Sequence, residues 1–433
     1  MFGPRLTVER SALRYFRVLV LGNAISAYGS YLNMLALSLF AYEISKSALF
    51  SGLFLTVRLV AGFLTGFVAG RATRHARRKV IMVAAELSQA GALLVLVAAP
   101  SGAREALLYG LAVVTGVGGT VSQVSLRSMI PELVGPESRT RANGLLVTGR
   151  STAMVLGFGS AGAVLSWAGY DTAFLLDAGS FVVSAAALSV LPLQPPQPAE
   201  PAQPTEESAE SFLGAQRAAL RFLRAAPILL PLIAIRGIDG LGSSSHNVAL
   251  PVYSSLLDPR HPAVFMSRFW VVWAVGNIVF QQAFSWYVKR TGRTFEERAF
   301  ALGTCLMSGA FILAFCGFPA AVTVVIALVA GAADGFTEVS YISRLQALPD
   351  EQRGYAFGFS ATVENLGVGI GMVLTSSALE FFRPLSVVAG AHGVAIVTAV
   401  LFLAYLARRR HRSDVPAGGR SPVSVPAHHD EAR

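Results

Sequence analysis

The chain has 433 residues and a formal net charge of +10, yet charged residues make up only 14% of it and apolar types reach 53%. Soluble domains carry roughly 25% charged residues, so this balance, with a mean hydropathy of +0.56, excludes a soluble protein. Nucleic-acid binding is also excluded, because the basic residues fall on alternate connections between apolar stretches, where membrane topology accounts for them.

A helix needs about 20 apolar residues to cross the hydrocarbon core. The opening segment to Arg17 carries scattered charges and leads into an apolar run too long for a signal peptide, with no small-residue cleavage pattern after it. It predicts a cytosolic tail and a retained first helix. Spanning helices are expected at 15–42, 47–70, 79–100, 106–130, 140–168 and 172–193. The stretch 194–210, rich in proline and glutamate, predicts a disordered linker. Beyond it, apolar residues such as Phe212, Leu220 and Phe222 alternate with Arg217, Arg221 and Arg224. This pattern suits an amphipathic helix on the membrane surface or the first turns of the next span. Six more spans are expected at 227–256, 263–288, 297–318, 320–346, 353–381 and 385–407, followed by a disordered tail. The chain thus divides into a bundle at 1–193, a cytosolic linker at 194–226, a second bundle at 227–408 and a tail at 409–433.

The two bundles repeat each other. Asn23, Ser26, Ser30 and Asn33 match Arg236, Asp239, Ser243 and His246 in spacing, and Thr120, Gln123 and Arg127 match Thr337, Ser340 and Arg344. A duplicated six-helix unit with polar stripes inside corresponding helices is built to move something across a bilayer. Basic clusters follow the even-numbered spans, at Arg71 to Lys79, Arg139 and Arg141, Lys289 to Arg298, and Arg408 to Arg412. The positive-inside bias then places both termini and the central linker in the cytosol. Gly157, Gly159 and Gly162 form a literal G-x-G-x-x-G, but inside an apolar helix, where small residues let helices approach closely. Gly367, Gly369 and Gly371 repeat the feature. There is no G-x-x-x-x-G-K-[ST] phosphate loop, so no ATPase is carried. Cys305 and Cys316 share one span and read as packing residues, and no metal or cofactor is expected.

Gly70, Arg74, His75, Arg78 and Lys79 stand in a stretch with the length and basic ending of the G-x-x-x-D-R-x-G-R-R/K gate loop of the major facilitator superfamily. Residues 285–293 form a degenerate counterpart. Residues 130–145 and 22–48 resemble the branch that includes enterobactin exporters and macrolide-type efflux proteins. The resemblance covers the whole helical region and implies an all-α integral membrane protein of twelve helices in two pseudo-symmetric six-helix bundles. Two departures stand out. Arg74 and His75 replace the Asp and Arg of the loop, which implies a weakened or rewired gate, and Phe158 replaces a proline of the antiporter pattern.

Each ionisable group at mid-bilayer costs about 2.5 to 3.5 kcal/mol, so Arg58, Arg150, Arg236, Asp239, Asp334, Glu338 and Glu364 would together cost roughly 20 kcal/mol facing lipid. All of them fall on helices that line the cavity in the resembling superfamily, whereas Glu86, Asp177 and His392 fall on peripheral ones and read as structural. Asp334, Glu338 and Tyr341 share one helix face, as do Arg236, Asp239, Ser243 and His246. If the faces meet, Arg236 neutralises one carboxylate and leaves another poorly solvated, as a proton carrier requires. The alternative is a set of permanent ion pairs that only orient helices.

The reading is a proton-coupled exporter of small amphipathic or antibiotic-like compounds. Asp239 and Glu338 are the expected proton carriers, with Asp334 and Glu364 in reserve. Arg58, Arg150 and Arg236 serve as charge partners or substrate anchors, and Asn23, Tyr28, Asn33, Trp273, Asn277 and Tyr341 as cavity lining. Expected partners are a small-molecule substrate, protons and membrane lipids, without nucleic acid, for a monomer that is not an enzyme. Rival readings are an importer or uniporter of a lipid or nutrient, or a non-transporting membrane sensor.

Overall fold

The computed structural model describes residues 3–75, 78–191, 214, 228–292 and 297–413. The described elements are helical throughout. They are α1 (Gly3–Ser45), α2 (Ala48–His75), α3 (Arg78–Ala98), α4 (Arg104–Ser189), α5 (Leu229–Leu257), α6 (Pro262–Thr291), α7 (Glu297–Ala314), α8 (Ala320–Gln346), α9 (Asp350–Leu379) and α10 (Pro384–Ser413). Prolines set several starts, where a missing N–H costs nothing: Pro262 opens α6, and Pro319 and Pro349 precede α8 and α9. Gly292 closes α6 in the left-handed region at φ 63°, which a side chain resists. The expected linker at 194–226, Gly214 aside, and the tail beyond Ser413 lie outside the described residues.

The spans predicted at 106–130, 140–168 and 172–193 all fall within one continuous helical stretch, α4, in which Gly169, in the left-handed region at φ 78°, lies at the expected boundary between the last two. A straight helix would hold Arg104 and Asp171 about 100 Å apart, yet their side chains form an ion pair at 3.0 Å. The run therefore doubles back, and at Gly169 its backbone leaves the right-handed helical region.

Ten stretches among the described residues are long and apolar enough to cross a membrane. α5 is not among them, because Arg236, Asp239, Asn247 and a run of serines interrupt its apolar sequence. A helix this polar survives in a bilayer only when its polar side faces protein or water.

The packing fixes which ends belong together. Ser47, between α1 and α2, donates to Glu380 Oε1 at 2.7 Å, between α9 and α10. The end of α1 and the start of α10 thus share a distal face, and the start of α1 and the end of α10 lie toward the opposite, terminal face. The core is branched. One cluster, from Leu32 and Phe54 through Phe158 and Phe174 to Trp270 and Phe311, joins both halves toward the distal face. Toward the terminal face it gives way to two separate clusters, one around Phe16, Met82 and Met129 and one around Ile233, Phe300 and Tyr341. The halves meet at one end and part at the other.

The glycine runs lie at these contacts. A Cβ on Gly162 would stand 2.9 Å from the Cβ of Ser267 in the other half, and one on Gly367 would collide with the Gly237 carbonyl oxygen. Helix packing, not nucleotide binding, accounts for both runs.

Candidate functional site

Three helices bring carboxylates to one guanidinium. Arg236 Nη2 on α5 lies 2.6 Å from Glu338 Oε2 on α8 and 2.9 Å from Glu364 Oε1 on α9. Its Nη1 lies 3.7 Å from Asp239 Oδ2, one turn along α5. The guanidinium also sits 5.4 Å over the ring of Tyr341, whose hydroxyl hydrogen-bonds Ser360. Asp334, one turn from Glu338, accepts from Asn277 Nδ2 at 3.1 Å, and Asn277 Oδ1 accepts from Gln281 Nε2 at 3.1 Å.

The exposures divide the cluster in two. The side chains of Glu338 and Glu364 are 38% and 37% exposed, while that of Asp239 is 5% exposed. Asp239 Oδ1 is buried without a hydrogen-bond partner among the described residues, as is Arg236 Nε. An ionised Asp239 lacks the donors that would replace its lost hydration. The arrangement combines wet carboxyls, a dry carboxyl and one cation on a single face.

The first half is wired differently. Asn33 Nδ2 donates to Asp177 at 2.6 Å, and Glu86 accepts from Ser26 at 3.1 Å and Ser122 at 3.0 Å. The repeat carries over, since His246, which matches Asn33 in spacing, bonds His392 Nε2 at 3.1 Å while His392 bonds Ser308 at 3.1 Å. His246 also stacks on Phe311 at 3.7 Å. In each half the first helix is tied to the last by a polar contact.

Between the halves lies a cavity of about 580 Å³. Its polar wall includes Arg58, Thr120, Gln123, Arg127, Asn247 and Asn365, and Trp270 supplies an aromatic face. The six side chains expected as lining do not stand in this wall. Asn33 and Asn277 turn to carboxylates of their own half, Tyr28 bonds Ser160 at 3.0 Å, and Tyr341 is buried under Arg236. Asn23 and Trp273 are half-buried outside it. Hydrogen bonding within each half, which spacing cannot reveal, explains the difference.

Arg150 also departs from its expected partners, donating to Tyr31 Oη at 3.0 Å rather than reaching Glu364. Arg58 makes no close ion pair or hydrogen bond among the described residues, interacts at longer range with the Asp177 carboxylate and lines the cavity. The sequence reading did not credit Arg127 as a site residue, although its spacing with Thr120 and Gln123 marks one helix face. Of the gate loop, Gly70, Arg74 and His75 close α2 and Arg78 opens α3, with side chains outside those described. Lys79 donates to the carbonyls of Ser189 at 2.5 Å and Leu191 at 2.8 Å, tying α3 to the end of α4.

A sequence profile described as the Major Facilitator Superfamily matches residues 19–349. No curated protein matches the chain. Among solved structures, the nucleoside transporter NupG superposes with a TM-score of 0.69 at 12% identity, over 90% of this chain and 98% of that one. A bacterial homolog of the human lysosomal transporter Spinster, inward-facing and unoccupied, gives 0.67 at 15% identity over 94% and 99%. A peptide transporter, POT, in complex with sulfate gives 0.66 at 14% identity over 91% and 94%. At these identities the likeness establishes the fold.

Proposed function

The chain belongs to the major facilitator superfamily, and from that premise we propose that it is a secondary transporter exporting small amphipathic or antibiotic-like compounds in exchange for protons. It acts as a monomer in the cytoplasmic membrane, with both termini in the cytosol. The motifs at residues 22–48 and 130–145 support placing it in the branch that includes enterobactin exporters and macrolide-type efflux proteins.

The observation that carries the coupling is the ratio of charges around Arg236. Three carboxyls approach one cation and Asp334 stands beside them on α8. Two like charges 4 Å apart repel by about 4 kcal/mol at an effective dielectric of 20. A group with more carboxyls than cations is therefore relieved by holding a proton. Glu338 and Glu364 exchange it with water, and Asp239 takes it into the dry end. Substrate binding that displaces the arginine from one carboxylate changes where the proton resides.

The branched core supports rocking of the halves. Contacts at the distal face close one mouth while the separated terminal clusters leave the other open. A proton entering down about 100 mV and one pH unit supplies roughly 3.7 kcal/mol, enough for about a 500-fold gradient of a neutral solute.

The test uses inside-out vesicles, acid inside, holding a fluorescent pH probe and challenged with amphipathic drugs and aromatic natural products. Drug-dependent proton release is expected, lost in Asp239→Asn and Glu338→Gln while labelled drug still crosses. Proton release that persists in both variants would remove these residues from coupling. Drug movement without proton release in the native protein would reduce the function to facilitated transport.

A further inference from the structure

The charged side chains in the central cavity wall are Arg58 and Arg127, both cationic. Neither has a carboxylate within ion-pair distance or a hydrogen-bond partner among the described residues, and the one anion acting on Arg58 is the more distant Asp177. This contrasts with Arg104, Arg236 and Arg344, each held by a carboxylate. The two are arranged in depth. Gly116 on α4 packs on the Arg58 carbonyl of α2, which sets the two helices side by side at that level. Arg127 lies three turns further along α4, roughly 17 Å nearer the terminal face. One guanidinium stands near the open mouth and one deep in the cavity, so an anion gains favourable potential along the whole path.

A second cavity of about 370 Å³ adjoins the first. It is bounded by α2 (Thr56, Leu59, Val60, Phe63) and α9 (Leu366, Gly369, Ile370, Leu374 among others) and is almost wholly apolar. Leu59, Phe63 and Asn365 line both cavities, so the two are adjacent. On the outer side, Val60, Leu366, Ile370 and Leu374 are 45%, 52%, 54% and 56% exposed, in a helix pair whose surroundings are lipid. α2 and α9 are clamped at the distal end, where Gly52 packs on Ser376 and Glu380 accepts from Ser47 and from the Leu49 N–H at 2.8 Å. Below that clamp the helices part and leave the groove.

We infer that the substrate is a single-chain amphiphile with an acidic head, which enters sideways from the bilayer between α2 and α9. Its head is received by Arg58, with Arg127 drawing anions toward the site, and its alkyl chain lies in the α2–α9 groove. The guanidinium fork matches the oxygens of a phosphate or carboxylate. Adjacency of the groove to the cationic cavity, with Leu59, Phe63 and Asn365 common to both, favours a molecule with both characters over a purely apolar drug. The one groove receives one chain. This rests on the transporter reading and narrows its substrate class.

Binding to the full chain in nanodiscs, followed by tryptophan fluorescence because Trp270 stands in the cavity wall, separates the two claims from transport. The probes are hexadecyl phosphate, palmitate, hexadecyl phosphocholine and butyl phosphate. Hexadecyl phosphate and palmitate should bind at least about tenfold tighter than the zwitterionic probe, and the difference between the first two identifies the head. Arg58→Gln should remove that preference and Arg58→Lys should restore part of it. Gly369→Phe, at a site where added bulk meets only Leu59, should weaken hexadecyl phosphate about tenfold and leave butyl phosphate unchanged. Equal affinity for charged and zwitterionic probes, or no response to Arg58→Gln in protein that keeps its native melting temperature, overturns the anionic head. Insensitivity of hexadecyl phosphate to Gly369→Phe overturns the lateral groove. Binding that behaves as expected without any flux in vesicles would overturn transport and leave the acidic-head and groove site as a binding site only.

Discussion

Arg236→Gln would leave Glu338, Glu364 and Asp239 facing one another without their cation. Breaking a buried ion pair costs about 3 to 5 kcal/mol, and the lower figure applies because two of the carboxylates are partly exposed. Thermal unfolding in detergent should show the loss, and Arg236→Gln combined with Glu338→Gln should recover part of it. An unchanged melting temperature would show that the carboxylates do not depend on Arg236. The His246 contact is smaller in scale. His246→Phe keeps an aromatic ring against Phe311 and gives up the bond to His392, for about 1 kcal/mol in the same assay. That Arg236, Asp239 and Glu338 would need one another was legible in the sequence, because helical spacing places each set on one face and burial of charge demands a partner, whereas Tyr341, expected as cavity lining, lies under Arg236. Asn33 and Asn277 were legible only as polar. Whether such a side chain meets a cavity or a neighbouring carboxylate depends on helix rotation, which one chain's spacing does not determine.

At the scale of the element, two glycines of α9 should respond oppositely to the same change. Gly367→Leu drives a side chain into the Gly237 carbonyl of α5, and overpacking of this kind costs about 1 to 3 kcal/mol. A Cβ added at the exposed Gly354 meets nothing within 4 Å, so Gly354→Leu should gain up to about 1 kcal/mol of helix propensity. Melting temperatures of the two variants would decide, and a shift of the same sign in both would mean that close approach is not the reason for Gly367. The spans themselves were readable from length and apolarity. The join near residues 131–136 was not, because Pro131, Gly135 and Pro136 signal a loop from sequence, whereas the join at Gly169, where φ is 78°, falls at the expected boundary between 140–168 and 172–193. Proline holds a helical φ while removing the hydrogen bond that keeps the axis straight, so a helix can bend there without ending. α5 shows the converse, a membrane helix whose polar burden hides it from hydropathy and whose partners on α8 and α9 explain that burden.

For the whole molecule, sidedness and conformation are both open to measurement. Cys316, exposed just beyond α7, lies at the distal face, while the start of α1 and the end of α10 lie at the other. If the termini are cytosolic, a membrane-impermeant maleimide should label Cys316 in intact cells and fail to do so in sealed inside-out vesicles. The reverse pattern would invert the topology. Glu380 joins the halves at that same face, where its carboxylate from the second half accepts from the Leu49 N–H and the Ser47 hydroxyl at the start of α2, an end that favours negative charge. Glu380→Gln weakens this clamp, and spin labels placed across the distal face should report a longer mean distance. An unchanged distribution would mean that the apolar cluster alone holds the face shut. Because Glu380 is exposed, its hydrogen bonds are worth only about 1.5 to 3 kcal/mol even when charge-assisted, a factor of roughly ten to one hundred in the ratio of the two mouths on top of what the apolar cluster contributes. A polar latch that shallow is undone by the free energy of one modest ligand, so cargo rather than a deep electrostatic trap can release this part of the closure.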